Sequence, residues 1–213
     1  MKLYIIRHGQ TAWNKEEVFR GTRDIPLNEV GLKEAVAVGA YLESVPFDAL
    51  YTSPLSRARQ TAQAVAEATG LAPLDEPNLI DLNFGDWQGI SLQEVKEKYP
   101  ELYATWTTRP ERAAFPGGES LNDVLTRVKS LLSRLLKEYP EDTVALFTHR
   151  VVCKVFICHL LGLGLEHFWQ IEQSTACLNR FRFSMARRQW ICEVLNSQCH
   201  LESLAGQRTT ADF

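Results

Sequence analysis

The chain lacks a paired-cysteine signature. Its five cysteines, Cys153, Cys158, Cys177, Cys192 and Cys199, are odd in number and none stands in a C-x-x-C pattern. They read as reduced thiols of the cytoplasm, filling space as small buried hydrophobes rather than forming a disulfide framework. Long apolar runs are missing too, so no segment reaches membrane-spanning length. There is no surplus of positive charge: 23 Lys and Arg against 26 Asp and Glu leave a net charge of −3. That balance argues against a nucleic-acid or membrane partner and requires any cationic site to be local. Internal repeats and low-complexity tracts are absent. The first strand is expected so close to Met1 that no signal peptide fits before it. What remains is ordinary globular composition, 45% hydrophobic and 23% charged over 213 residues, enough for one large core and an inserted lid.

Lys2-Leu3-Tyr4-Ile5-Ile6 is an apolar run rich in β-formers, and it ends in Arg7-His8-Gly9-Gln10-Thr11. A buried strand thus delivers an arginine and a histidine to the sheet edge, and the glycine lets the backbone turn. For this pair alone two readings stand: a strand ending at the surface, or a fixed cation beside a nucleophile, which suits an anion such as phosphate. A loop-like segment over 9–27 holds Asn14, Arg20, Gly21 and Asp24, and loops of that length are uncommon unless functional. Asn28 is the expected N-cap of a helix with Leu32, Ala35, Val36, Gly39 and Leu42 as its apolar stripe. A second strand over 49–51 leads into Ser53-Pro54, read as N-cap and first position of a helix that Gly70 stops. Arg57 falls in its first turn, where the dipole is already positive. A bound anion there turns a small cost into a gain.

Residues 71–90 read as irregular. Ser91-x-x-Glu94 is a capping box, and 91–116 form a lid-like helical insertion in this reading. Ser120 caps the clearest helix, with Val124, Val128, Leu131, Leu132, Leu135 and Tyr139 in one stripe. A buried strand over 143–147 ends in Thr148-His149-Arg150, repeating the opening event. A helix over 151–161, apolar nearly all round, ends at Gly162. Segments 178–183 and 190–195 alternate with period two and read as a terminal hairpin. Residues 1–204 make one domain and 205–213 a loose tail.

Strands alternating with helices predict a three-layer α/β/α sandwich with a mostly parallel central sheet and an antiparallel edge strand. Ligands of such sheets sit outside the C-terminal ends of the strands. His8, the turn at 53–57 and His149 each follow such an end, so one rule gathers three segments into one crevice. Arg7 and Arg57 can grip phosphate oxygens in forked geometry. A neutral imidazole can attack phosphorus and carry the phosphoryl group, and an acid near Asp81 can protonate the leaving alkoxide. The chemical rival is a zinc site of two histidines and a carboxylate, which Arg7 and Arg57 disfavour by repulsion.

Arg7-His8-Gly9-Gln10-Thr11 with Asn14 resembles the signature of the histidine phosphatase superfamily, which has the phosphoglycerate mutase-like fold. Phe19-Arg20-Gly21 and 24–31 resemble its substrate loop and first helix. The run 53–62 resembles the segment holding its second phosphate arginine. The run 84–89, Gly117-Gly118-Glu119-Ser120 and Phe147-Thr148-His149 match later blocks. The resemblance implies a phosphomonoester phosphatase, without metal or other cofactor, acting on a small anionic phosphorylated metabolite. His8 would be the phosphorylated nucleophile, Arg7, Arg57 and His149 would hold the phosphoryl group, and Asn14 would assist. Arg20 and Gly21 would meet the rest of the substrate.

Asp81 falls where the family usually has a glutamate donor, one methylene longer; Asp86 is the weaker substitute. Arg150 replaces a usual glycine. Arg20 replaces a common glutamine, and an added cation there suits a second anionic group on the substrate; a solvated loop residue is the plain alternative. Two further readings stay open. One is a phosphoglycerate-type mutase, although the chain is short for it. The other is a phosphate-binding module of weak activity. The substrate stays open among sugar phosphates, phosphorylated amino acids, ribazole phosphate and phosphoglycerate, and so does self-association. His159, His167 and His200 read as structural or loop residues, Arg109 and Arg112 as solvated surface, and Trp87, Trp106 and Trp169 as packing.

Overall fold

Alternation along the central strands builds the layers. In the computed structural model, which describes residues 1–207, β1 (Lys2–Arg7) turns Leu3 and Ile5 to one core and Tyr4 and Ile6 to the other. β4 (Thr143–Thr148) divides Val144 and Leu146 from Ala145 and Phe147 in the same way. Both faces being covered, each strand reads as a continuous apolar run. The sheet order is β3-β2-β4-β1-β5-β6, with β2 (Ala49–Thr52) and β3 (Pro73–Asp75) parallel to β4 and β1. The hairpin of β5 (Leu178–Ser184) and β6 (Gln189–Ser197) closes one edge, β5 running antiparallel to β1.

After the single turn α1 (Ala12–Lys15), α2 (Glu29–Leu42) and α3 (Ser56–Thr69) cover one face with Val38, Leu42, Ala62 and Val65. The short helices α4 (Leu92–Lys98) and α5 (Pro100–Thr108) lie in the expected lid region. α6 (Leu121–Glu138) and α7 (Arg150–Leu161) cover the other face. Val124, Val128, Leu131, Leu132 and Leu135 of the α6 stripe are buried as their spacing predicts, each contributing roughly 1.5–3 kcal/mol, while Tyr139 is the half-buried C-cap. Ser120 starts α6 through a capping box with Asp123.

Four local expectations are corrected. Of the expected α2 stripe, Ala35, Gly39 and Leu42 are buried, but Leu32 and Val36 are 46% and 66% exposed, and Gly31, Glu34 and Val38 are buried in their place. Its buried face is rotated because the Glu34 carboxylate binds inside the molecule. α3 starts at Ser56, later than Ser53-Pro54, because the backbone is still extended at Leu55, which becomes the N-cap. Residues 73–75 are an edge strand, short and led by proline, which hides it from a periodicity test. The chain from Cys199 to Gln207 runs in 3₁₀ turns; the rest of the expected tail, 208–213, lies outside the described residues. Among the described residues no helix is long and apolar enough to cross a membrane.

Candidate active site

Strand register assembles the site. Arg7 and Thr148 are level in β1 and β4, and Thr52 of β2 is level with Phe147. The three parallel neighbours therefore end together. The His8 amide donates to Thr148 O at 2.9 Å and the Ser53 amide to Phe147 O at 2.9 Å, so the residues just past each strand stay side by side. The His8 and His149 rings are 5.2 Å apart between centroids. Arg7, His8, Ser53, Arg57 and His149 are buried almost completely.

The hydrogen bonds fix both ring tautomers. His8 Nδ1 lies 2.6 Å from Gly9 O, and a carbonyl only accepts, so Nδ1 carries the proton and the Nε2 lone pair is the nucleophilic one. Arg57 Nε is always a donor, so His149 Nδ1, 3.1 Å away, accepts and is unprotonated. The His149 proton is then on Nε2, donated to Ser53 Oγ at 2.8 Å. Both rings are neutral in this geometry. Electrostatics agree: burial, then Arg57, hold each histidine well below its usual pKa, with Arg7 and Arg20 adding to the effect on His8. These surroundings oppose a positive charge on His149.

Arg57 is the hub. Beyond His149 it donates to Arg23 O and Gly21 O, each at 2.8 Å, and to Asp81 Oδ2 at 3.3 Å. Burial pulls its own pKa down, opposed by Asp81. Arg7 donates to Gln173 O at 2.5 Å. Gly21 sits at φ +51°, and a Cβ there would meet Gln88 Oε1 at 2.1 Å, so a glycine is required where the loop turns its carbonyl to Arg57. Asn14 braces the turn after His8, its Oδ1 accepting from the Thr11 amide and hydroxyl, each at 2.9 Å.

Asp81 places Oδ2 3.8 Å from His149 Nδ1, while Oδ1 accepts the Leu82 amide at 2.9 Å. Arg20, Gly21, Asp81, Phe84 and Arg150 line one small cavity, of which Gly21 and Asp81 also bind Arg57. Asp86 is exposed beyond the site, and Arg109 and Arg112 are exposed as well.

Several supporting residues were missed because their roles depend on tertiary placement. Glu34 is fully buried and accepts the Gln10 amide at 2.7 Å and the Thr175 hydroxyl at 2.8 Å. Arg127 donates to Asn78 O at 2.6 Å and Asp81 O at 3.2 Å, and Glu119 accepts the Asn83 amide at 2.9 Å, so this pair clamps the Asp81 loop. Only Glu119 carried a sequence signal, within Gly117-Gly118-Glu119-Ser120. Among the described residues no group of three or more His, Cys, Asp or Glu side chains is arranged to hold a metal ion.

The fold and this pocket are those of a phosphoryl-transfer enzyme of the phosphoglycerate mutase-like class. The family model described as "Histidine phosphatase superfamily (branch 1)" matches residues 3–198, and the chain belongs to that family. Phosphoserine phosphatase 1 of Hydrogenobacter thermophilus is 35% identical over 201 residues, covering 94% of each chain. Bacillus stearothermophilus YhfR superposes with a TM-score of 0.89 at 28% identity, over 94% of this chain and 99% of that one. Mycobacterial glucosyl-3-phosphoglycerate phosphatase complexed with VO3 superposes with a TM-score of 0.86 at 27% identity, over 92% and 99%. The protein is a hydrolase of the histidine phosphatase type that acts on small phosphorylated metabolites.

Proposed function

We propose that the protein is a metal-independent phosphomonoester phosphatase working through a phosphohistidine on His8. The observation that carries this is the bond from His8 Nδ1 to Gly9 O, which leaves Nε2 as the attacking atom beside Arg57 and His149. In the first step Nε2 bonds to phosphorus as the ester P–O bond breaks, and protonated Asp81 gives its proton to the leaving oxygen. In the second, water attacks phosphorus, its proton goes to the Asp81 carboxylate, the P–N bond breaks and phosphate leaves. Arg7, Arg57 and His149 hold the equatorial oxygens, where charge stabilisation does most of the catalytic work.

Arg20 and Arg150, both lining the cavity beside Asp81, favour a substrate with a second anionic group near the ester. Phosphoserine and glucosyl-3-phosphoglycerate, each in the name of one relative, both combine phosphate with a carboxylate. The reading is tested by phosphate release with excess EDTA. Turnover is expected to persist in EDTA, to leave ³²P on the protein after quenching at alkaline pH, and to vanish in His8→Ala. Labelling that survives in His8→Ala overturns it, and transfer of phosphate between substrate positions without release indicates the mutase instead.

A further inference from the structure

His149 faces the site with the wrong atom protonated. Nδ1 is the nitrogen near Arg57 and Asp81, at 3.1 and 3.8 Å, and in the arrangement described it accepts a hydrogen bond. An unprotonated phosphoryl oxygen also only accepts, so His149 can donate to it only with a proton on Nδ1, which the P–OH of a protonated phosphoryl group gives up to that nitrogen as it binds. The far nitrogen, Nε2, contacts one side chain, the hydroxyl of Ser53 at 2.8 Å. Ser53 is fully buried at the end of β2, and its Oγ also lies 3.3 Å from the Leu55 amide, which restrains it.

A hydroxyl is the one small neutral group that serves both states of that ring without moving. When Nε2 bears a proton, Oγ accepts it. When the proton sits on Nδ1 alone, the Ser53 O–H rotates and donates to the Nε2 lone pair, while its oxygen still accepts from Leu55. If both nitrogens are protonated, Oγ accepts again. A carbonyl would lock Nε2–H and a cation would lock the bare nitrogen; neither permits the exchange.

We infer that Ser53 is a positioning residue that lets His149 change Nδ1 from hydrogen-bond acceptor to donor as the phosphoryl group binds. This rests on the proposed contact between His149 and that group. Arg57 supports the change from the other side, because a bound phosphate gives its Nε–H an oxygen to donate to in place of Nδ1.

The test combines ¹⁵N NMR of the histidine rings with kinetics, using inorganic phosphate as the probe. In the wild-type protein, saturating phosphate is expected to move His149 Nδ1 from the unprotonated to the protonated shift range. In Ser53→Ala that change is expected to be lost or displaced to lower pH. There kcat should fall about 10- to 100-fold, the scale of a misplaced proton-transfer partner, with KM changed less than about threefold. Ser53→Thr, which keeps the hydroxyl, should restore the ring signature. A Ser53→Ala protein whose His149 responds to phosphate as the wild type does, or whose kcat stays within about twofold, overturns the inference. Wild-type His149 signals indifferent to phosphate would instead remove the parent reading of His149 as a phosphoryl contact.

Discussion

The carboxylate of Asp81 stands 3.3 Å from the Arg57 guanidinium and 3.8 Å from the His149 ring, so the shorter side chain still reaches the centre of the pocket. Arg127 holds the loop that carries it, donating to the backbone at Asn78 and Asp81. If Asp81 is the proton donor, its loss matters in proportion to how badly the leaving oxygen needs a proton. Asp81→Asn should slow hydrolysis of an alkyl phosphate by about 100-fold or more, and of p-nitrophenyl phosphate by about tenfold or less. Equal slowing of both in steady-state assays would remove Asp81 from the role.

The two neutral imidazoles give a pH signature of defined sign. Burial and the neighbouring guanidiniums hold His8 and His149 well below the ordinary value of 6.5. As pH falls below that value the unfolded chain takes up protons that the folded one refuses. Stability is therefore fully present above about pH 6.5 and is lost as pH drops toward the folded values. Each histidine contributes at most about 1.4 kcal/mol per pH unit in that window. Urea unfolding at pH 7.5, 6.5 and 5.5 should show this loss, and His149→Gln should show a shallower one. The same shifts keep the His8 imidazole neutral, so under the proposed mechanism kcat/KM should show no acid limb centred near 6.5. A limb at that pH, absent from a leaving-group-independent control, would contradict the buried neutral state.

Much of this site was legible because the parallel sheet converts sequence order into position. An apolar run followed by Arg7-His8, and another followed by Thr148-His149, need only adjacent parallel strands of matching register to meet, and β1 and β4 supply both. What was hidden depends on contacts that no local period encodes. Glu34 lies on a helix whose apolar pattern puts Leu32 and Val36 inward, yet a buried carboxylate decides which face is covered. Ser53 looked like a helix cap because serine before proline usually is one, while its hydroxyl partner lies 96 residues away. Edge strand β3 has three residues and a proline, too few for alternation to register.

Arg20 and Arg150 offer a separate test of substrate class, because both line the cavity beside Asp81. Arg150 also lies with its guanidinium carbon 5.6 Å from the Trp169 ring centre, which gives the side chain an apolar wall. A charge-assisted hydrogen bond to a carboxylate contributes about 1.5–3 kcal/mol, so Arg20→Gln or Arg150→Ala should raise KM for phosphoserine roughly 10- to 100-fold. Phosphoethanolamine, which lacks the carboxylate, should change by less than about threefold. A uniform change across both compounds would assign the two arginines to general electrostatics instead of recognition.

Glu34 ties the turn after His8 to the rest of the fold. Its two oxygens serve different segments, the Gln10 amide at 2.7 Å and the Thr175 hydroxyl at 2.8 Å, and the Ala176 amide in turn donates to His8 O at 3.1 Å. The helix must come close for this: a Cβ on Gly31 would lie 2.0 Å from Gln10 O. Removing the carboxylate leaves two buried donors without that acceptor. At about 1–3 kcal/mol for each unsatisfied group, Glu34→Ala should destabilise the protein by roughly 2–5 kcal/mol. Glu34→Gln should cost less, since its amide oxygen can still serve one donor while its NH2 faces the other. Urea unfolding gives both numbers, and a loss under about 0.5 kcal/mol in Glu34→Ala would show that solvent or a neighbour replaces the carboxylate. The remaining folded enzyme should also have a lower kcat, because the backbone that carries Gly9 O, and with it the tautomer of His8, is held from this side chain.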